Sequence, residues 1–234
     1  MRKRPSKKKE PDFSVAALDY DDPETYKMLG QGETEGVFQL ESSGMKQVLV
    51  GLQPQNLEDV IALISLYRPG PMDSIPTYLR NRHEPEKISY KTPQLAHILD
   101  VTNGCIVYQE QVMQIFRELA GFSFGQADNV RRAMSKKKHA VMEAEREHFV
   151  HGCTEPGHEC PGCVANGISE KVANEIYDEM SSFASYAFNK SHAACYAYVA
   201  FQTAYLKCHY PSEFMAALLT SVLDNTDKVI EYSG

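Results

Sequence analysis

The sequence lacks most of what would place it in a membrane, on a secretory route or among self-contained hydrolases. No apolar run approaches the ~20 residues that a membrane span needs. The basic start, MRKRPSKKKE, is not followed by an apolar stretch and does not read as a secretory signal. The chain is therefore expected to be cytoplasmic, with no membrane partner. No G-x-x-x-x-G-K-[ST] phosphate loop, no G-x-S-x-G and no H-E-x-x-H occurs. Magnesium-dependent phosphoryl chemistry needs carboxylates gathered on one site. Asp19, Asp21 and Asp22 lie near the charged end and read better as capping residues. There is no internal repeat. Excess positive charge is missing as well, since the 234 residues carry a formal net charge of −7. Proteins that work only by neutralising phosphates are usually basic. Any nucleotide or nucleic acid must be met by local patches.

Hydrophobic residues make up 43% and charged residues 24%, enough apolar material for a real core. The length suits one large domain or two small ones. Residues 1 to 18 are charged and lack periodicity, and they read as a flexible basic leader. The rest, 19 to 234, reads as one mainly α domain of about ten helices, with one or two short extended segments. Asp22, Asn56, Ser169 and Asn189 each precede a helical pattern and can cap it. The run NLEDVIALISLY shares one apolar face and is stopped by RPGP. TEGVFQL and GCIVYQE read as the extended pieces. Gly51 should end the helix that begins in ESSGM, and Gly125 or Gln126 should open ADNVRRAMSKK. The long helix KSHAACYAYVAFQTAYLKCHY is apolar all round, which predicts burial, with Tyr196 and Tyr198 as core aromatics.

Three motifs carry chemistry. The first is Cys153-x4-His158-x-Cys160-x2-Cys163, in a loop rich in proline and glycine over residues 152–164. Three thiolates and an imidazole form a standard tetrahedral set for structural zinc, and four protein ligands leave no open catalytic position. His151 competes as the fourth ligand. The remaining cysteines, Cys105, Cys195 and Cys208, sit in apolar stretches and read as buried thiols rather than a disulfide framework. The second motif is Arg131-Arg132 followed by Lys136, Lys137 and Lys138. A guanidinium fork matches phosphate oxygens, and the lysines add diffuse potential for a triphosphate or a DNA backbone. A solvated helix face paired to Glu143, Glu145 and Glu147 is the competing explanation. The third is FNKSH, with Asn189, Lys190, Ser191 and His192 at a helix start. Lys190 places a cation where the helix dipole prefers an anion, a conflict that a bound anion would relieve. Tyr186, Phe188 and His192 can stack on bases.

Four long stretches occur together and in order: ETEGVFQLESSGMKQVL, DVIALISLYRPGPMDS, GCIVYQEQVMQIFRELAGFSFGQADNVRRAMSKKK and FASYAFNKSHAACYAYVAFQTAYLKCHYPSEFMAALLTS. In this order they resemble the fingers region of the alpha subunit of bacterial DNA polymerase III, the C-family of replicative polymerases. The resemblance runs from about residue 19 to 230. It implies a fragment of a DNA-directed DNA polymerase whose three metal-binding aspartates lie in a palm upstream, outside this chain. Magnesium is expected only with that palm, and the fragment alone is expected to be inactive. The implied partners are a deoxynucleoside triphosphate, template-primer DNA, the rest of the polymerase chain and replisome subunits. Arg131 and Arg132 would fall on the pair that approaches the triphosphate, and Asn189 to His192 on the same pocket. In one place the chain departs from the family. Where many members have a short link, CTEPGHECPGC is inserted, so zinc would be an elaboration. The alternative to the fingers reading is a zinc-containing helical module that binds nucleic acid or a protein partner.

Overall fold

A computed structural model describes residues 13–136, 138–184 and 188–233. Most of the basic leader, Lys137 and Tyr186 lie outside them. The described residues form thirteen α-helices and two isolated β-bridges, more helices than the sequence pattern separates. The first four are α1 (Pro23–Gly30), α2 (Ser43–Leu52), α3 (Leu57–Leu66) and α4 (Ile75–His83). Six follow in the middle of the chain: α5 (Ala96–Leu99), α6 (Gln109–Ala120), α7 (Phe124–Ser135), α8 (His139–His151), α9 (Gly162–Ala165) and α10 (Glu170–Ala184). The last three are α11 (Lys190–His209), α12 (Pro211–Ser221) and α13 (Thr226–Ser233). No helix among the described residues is long and apolar enough to cross a membrane.

The helix starts follow local chemistry. The Asp22 carboxylate accepts from Thr25 N at 2.9 Å and Pro23 holds the first position of α1. Asn56 Oδ1 accepts from Asp59 N at 3.0 Å, and Ser169 Oγ from Val172 N at 3.4 Å. The α7 start corrects the expectation at Gly125 or Gln126. Ser123 caps it two residues earlier, in a reciprocal box with Gln126. Helix α2 likewise runs through Gly51 and stops at Gln53, which takes a left-handed conformation with φ 52°. TEGVFQL is not a strand. Gly36 and Gln39 have φ of 72° and 64°, and Val37 N and Leu40 N close successive turns on Thr34 O and Val37 O. GCIVYQE is extended as expected, and Tyr108 bridges Phe188 in parallel.

Two cores divide the helices. The first lobe packs α1 to α4 against α11. Its centre is the α3–α11 contact, where α3 buries every residue from Asp59 to Leu66. α11 answers with Ala193, Ala197, Ala200, Phe201 and Ala204. Small side chains let helix axes approach closely. This stripe corrects the expected all-round burial of α11. Alanines rather than tyrosines face α3, so Tyr198 is 45% exposed, Tyr196 is only partly buried and Cys195 is exposed. Cys208 is also only partly buried, while Cys105 is buried as expected. The second lobe packs α5 to α10 around Phe116, Phe149 and Tyr177, whose rings meet at 5.1 to 5.9 Å. Between the lobes runs the extended piece, with Cys105 and Val107 in the first core and Ile106 in the second. Buried Gln111 fixes it, accepting from Val107 N and Tyr108 N and donating to Ile98 O and Thr102 Oγ1.

Candidate functional site

At the seam, α7 of the second lobe and the start of α11 of the first meet the start of α6. A cleft of about 480 Å3 lies there, and Gln109, Glu110, Asp128, Arg131 and Asn189 are among its lining residues. Arg131 donates from Nη1 to Gln109 Oε1 at 3.1 Å and from Nη2 to Asp128 Oδ1 at 2.7 Å. Arg132 Nε lies 2.8 Å from Asp128 Oδ2, with its side chain 64% exposed. One carboxylate thus braces both guanidinium groups. The Arg131 hydrogen bond in turn holds Asp128 below the usual carboxylate range. Pairing runs to Asp128, one helical turn away, and not to the glutamates of α8. Those engage their own neighbours: Glu143 with Arg146, Glu145 with His148 and Glu147 with His151.

Asn189 caps α11, its Oδ1 accepting from His192 N at 3.0 Å. The dipole conflict at Lys190 is met from within the chain. Both Glu110 carboxylate oxygens lie 3.2 Å from Lys190 N, and Lys190 Nζ pairs with Glu58 Oε2 at 2.9 Å. An acidic side chain therefore sits where an external anion would bind the helix end. Ser191 is exposed beside it.

His192 turns to a second, larger cavity of about 780 Å3, lined in part by Arg68, Phe188 and Tyr196. Its ring lies 5.2 Å from Phe188 and 4.6 Å from Tyr196, and the Arg68 guanidinium covers Phe188 at 4.0 Å. The start of α11 thus borders two clefts, one charged and one aromatic. Lys136 ends α7 and Lys138 precedes α8, and both are exposed on that loop rather than lining either cleft. Asp128 was legible as an i, i+3 and i, i+4 partner of the arginines. Glu58, Glu110 and Arg68 reach the site only through tertiary folding and leave no local signal.

The cysteine loop lies at the far end of the second lobe. Cys153 and Cys160 face each other in an antiparallel bridge, each donating its N–H to the other's carbonyl at 2.9 Å. Cys163 is fully buried, and burial pushes its thiol up to about 12. His158 is exposed, with its ring 6.4 Å from that of His148.

Residues 1–157 match the family model described as the bacterial DNA polymerase III alpha subunit finger domain. DNA polymerase III subunit alpha of Thermus aquaticus is 51% identical over 220 residues, covering 92% of this chain and 17% of that protein. The Bacillus subtilis subunit is 46% identical, covering 94% of this chain and 19% of its own length. The Pasteurella multocida subunit is also 46% identical, covering 97% and 19%. The chain spans less than a fifth of each of these relatives. It belongs to the finger-domain family of the bacterial DNA polymerase III alpha subunit.

Proposed function

We propose that this chain supplies the fingers side of the nucleotide site in a cytoplasmic, DNA-directed DNA polymerase of bacterial chromosome replication. One observation carries the reading. Arg131 and Asn189, from motifs far apart in sequence, line the same charged cleft. A triphosphate entering it would exchange the carboxylates of Asp128 and Glu110 for phosphate oxygens at the guanidinium forks and the α11 end. The arginines would then stabilise charge as pyrophosphate leaves. The aromatic cavity beside His192 suits a base, and Lys136 and Lys138 suit a DNA backbone. The carboxylates of the cleft are all engaged: Asp128 by Arg131 and Arg132, Glu110 by the Lys190 N–H, and Glu118 by His97 and Gln114. They do not fit a magnesium pair, and magnesium belongs with palm carboxylates outside this chain.

In the full-length protein, Arg131→Ala and Arg132→Ala should each lower single-nucleotide incorporation efficiency by about 100-fold, the usual scale for one lost transition-state donor. The circular dichroism of both should match the parent. Incorporation at the parental rate would sink the assignment. Glu110→Gln should act in the opposite sense and tighten nucleotide binding about two- to fivefold, because it removes a competing negative charge from the helix end.

A further inference from the structure

We propose that Cys153, His158, Cys160 and Cys163 hold one structural zinc ion that clamps the loop between α8 and α10. The proposal is independent of the nucleotide reading. Directly opposed residues of an antiparallel pair present their side chains on one face, with Cβ atoms ~5 Å apart. The bridge therefore brings the Cys153 and Cys160 thiols to one side of the turn. Gly162, at φ 78°, then redirects the chain so that Cys163 falls in the first turn of α9. The closure is enforced by backbone packing. A Cβ on Gly162 would lie 2.3 Å from Gly152 N, and one on Gly152 would lie 2.5 Å from Pro161 O. Only glycine fits at either place.

His151, the competing fourth ligand, faces Glu147 and Glu170, with its Nε2 3.9 Å from a carboxylate of each. His158 instead sits on the exposed arc 154–159, with its ring near the end of α8, and the same arc gives an ion its way in from solvent. In this structure no three of the four donor atoms lie within 4.8 Å of one another. Binding must therefore turn the cysteine side chains inward as well as draw in the arc that carries His158, and the Cys160 thiol must leave His148 O, to which it donates at 3.5 Å. The three thiols lose their protons to become ligands. The clamp would bear on the end of α6. Pro161 packs against Gly121, and Asn166 Nδ2 donates to Leu119 O at 2.8 Å.

The test is metal content of the full-length protein, purified without chelator. Cys163→Ser should contain one zinc fewer per chain than the parent. His158→Asn should lose zinc to a competing chelator at least ten times faster, and His151→Asn at the parental rate. If the serine variant does not fold, mercurial titration of the native parent decides the matter. Release of one zinc as the loop thiols react supports the site, as does cobalt exchange giving thiolate charge-transfer and tetrahedral ligand-field bands. Unchanged zinc in a folded Cys163→Ser, no zinc released by the mercurial, or a Cys153–Cys160 disulfide in the unreduced protein overturns it. Parental zinc retention in His158→Asn overturns the fourth ligand.

Discussion

The two lobes are of similar helical make-up but are held together differently. The first brings α3 and α11 together on an alanine stripe, so its centre is defined by how near two backbones can lie. The second is filled by tilted and edge-on rings, with Cys160 and Cys163 among its buried residues. The charged cleft is built mostly by the second lobe, whose α6 and α7 supply Gln109, Glu110, Asp128 and Arg131, and the first lobe adds Asn189, the cap of α11. The difference predicts different sensitivities: a close helix contact tolerates little added side-chain volume, and a ring-filled core tolerates little removed volume.

The largest expected effect comes from emptying the second core. Phe116→Ala should cost about 3–5 kcal/mol. Hydrogen exchange should show the loss in α6 to α10, while α3 and α11 keep most of their protection. Equal loss in both lobes would mean that there is one core and not two. In the reverse experiment, Ala200→Leu should cost about 1–3 kcal/mol by forcing α11 away from α3. Denaturant unfolding of the full-length protein would measure it. A neutral result would show that the helices are not in close contact. The smallest effect concerns the turn over residues 34–40. Glu35 pairs with Lys46 and with Lys207, and the Lys46 hydrogen bond is the main reason that its carboxyl is lowered to about 2. A lowered carboxyl stabilises the fold above its unfolded value and loses that contribution as pH falls toward the folded one. The melting temperatures of parent and Glu35→Gln should therefore differ at neutral pH and converge between about pH 4.5 and 2. Glu35 is 45% exposed, so solvent screening keeps the difference under about 1 kcal/mol. A gap that is constant across that range would remove the ion pairs from the account.

Much of this was legible in the sequence because it is local. Asp22, Asn56, Ser169 and Asn189 cap the helices that they precede, and Pro23 and RPGP act as proline requires. Two kinds of feature were hidden. In TEGVFQL, positive φ at Gly36 and Gln39 turned an expected extended piece into successive turns. On α11, composition suggested burial all round, but which face is buried depends on α3, far away in the chain. The site was half visible for the same reason. Arg131, Arg132 and Asn189 announce themselves by residue type. Glu58, Glu110 and Arg68 matter only once the lobes meet.

The seam itself limits how those lobes can move. Cys105 and Val107 enter one core and Ile106 the other. Moving this segment along its axis by one residue would put Cys105 where Ile106 packs and Ile106 where Val107 packs, each in the wrong core. A shift of two residues, ~6.6 Å, would carry Ile106 into the first core, where Tyr108 packs. The seam therefore behaves as a ratchet with one tooth engaged, and a gradual slide along it is forbidden.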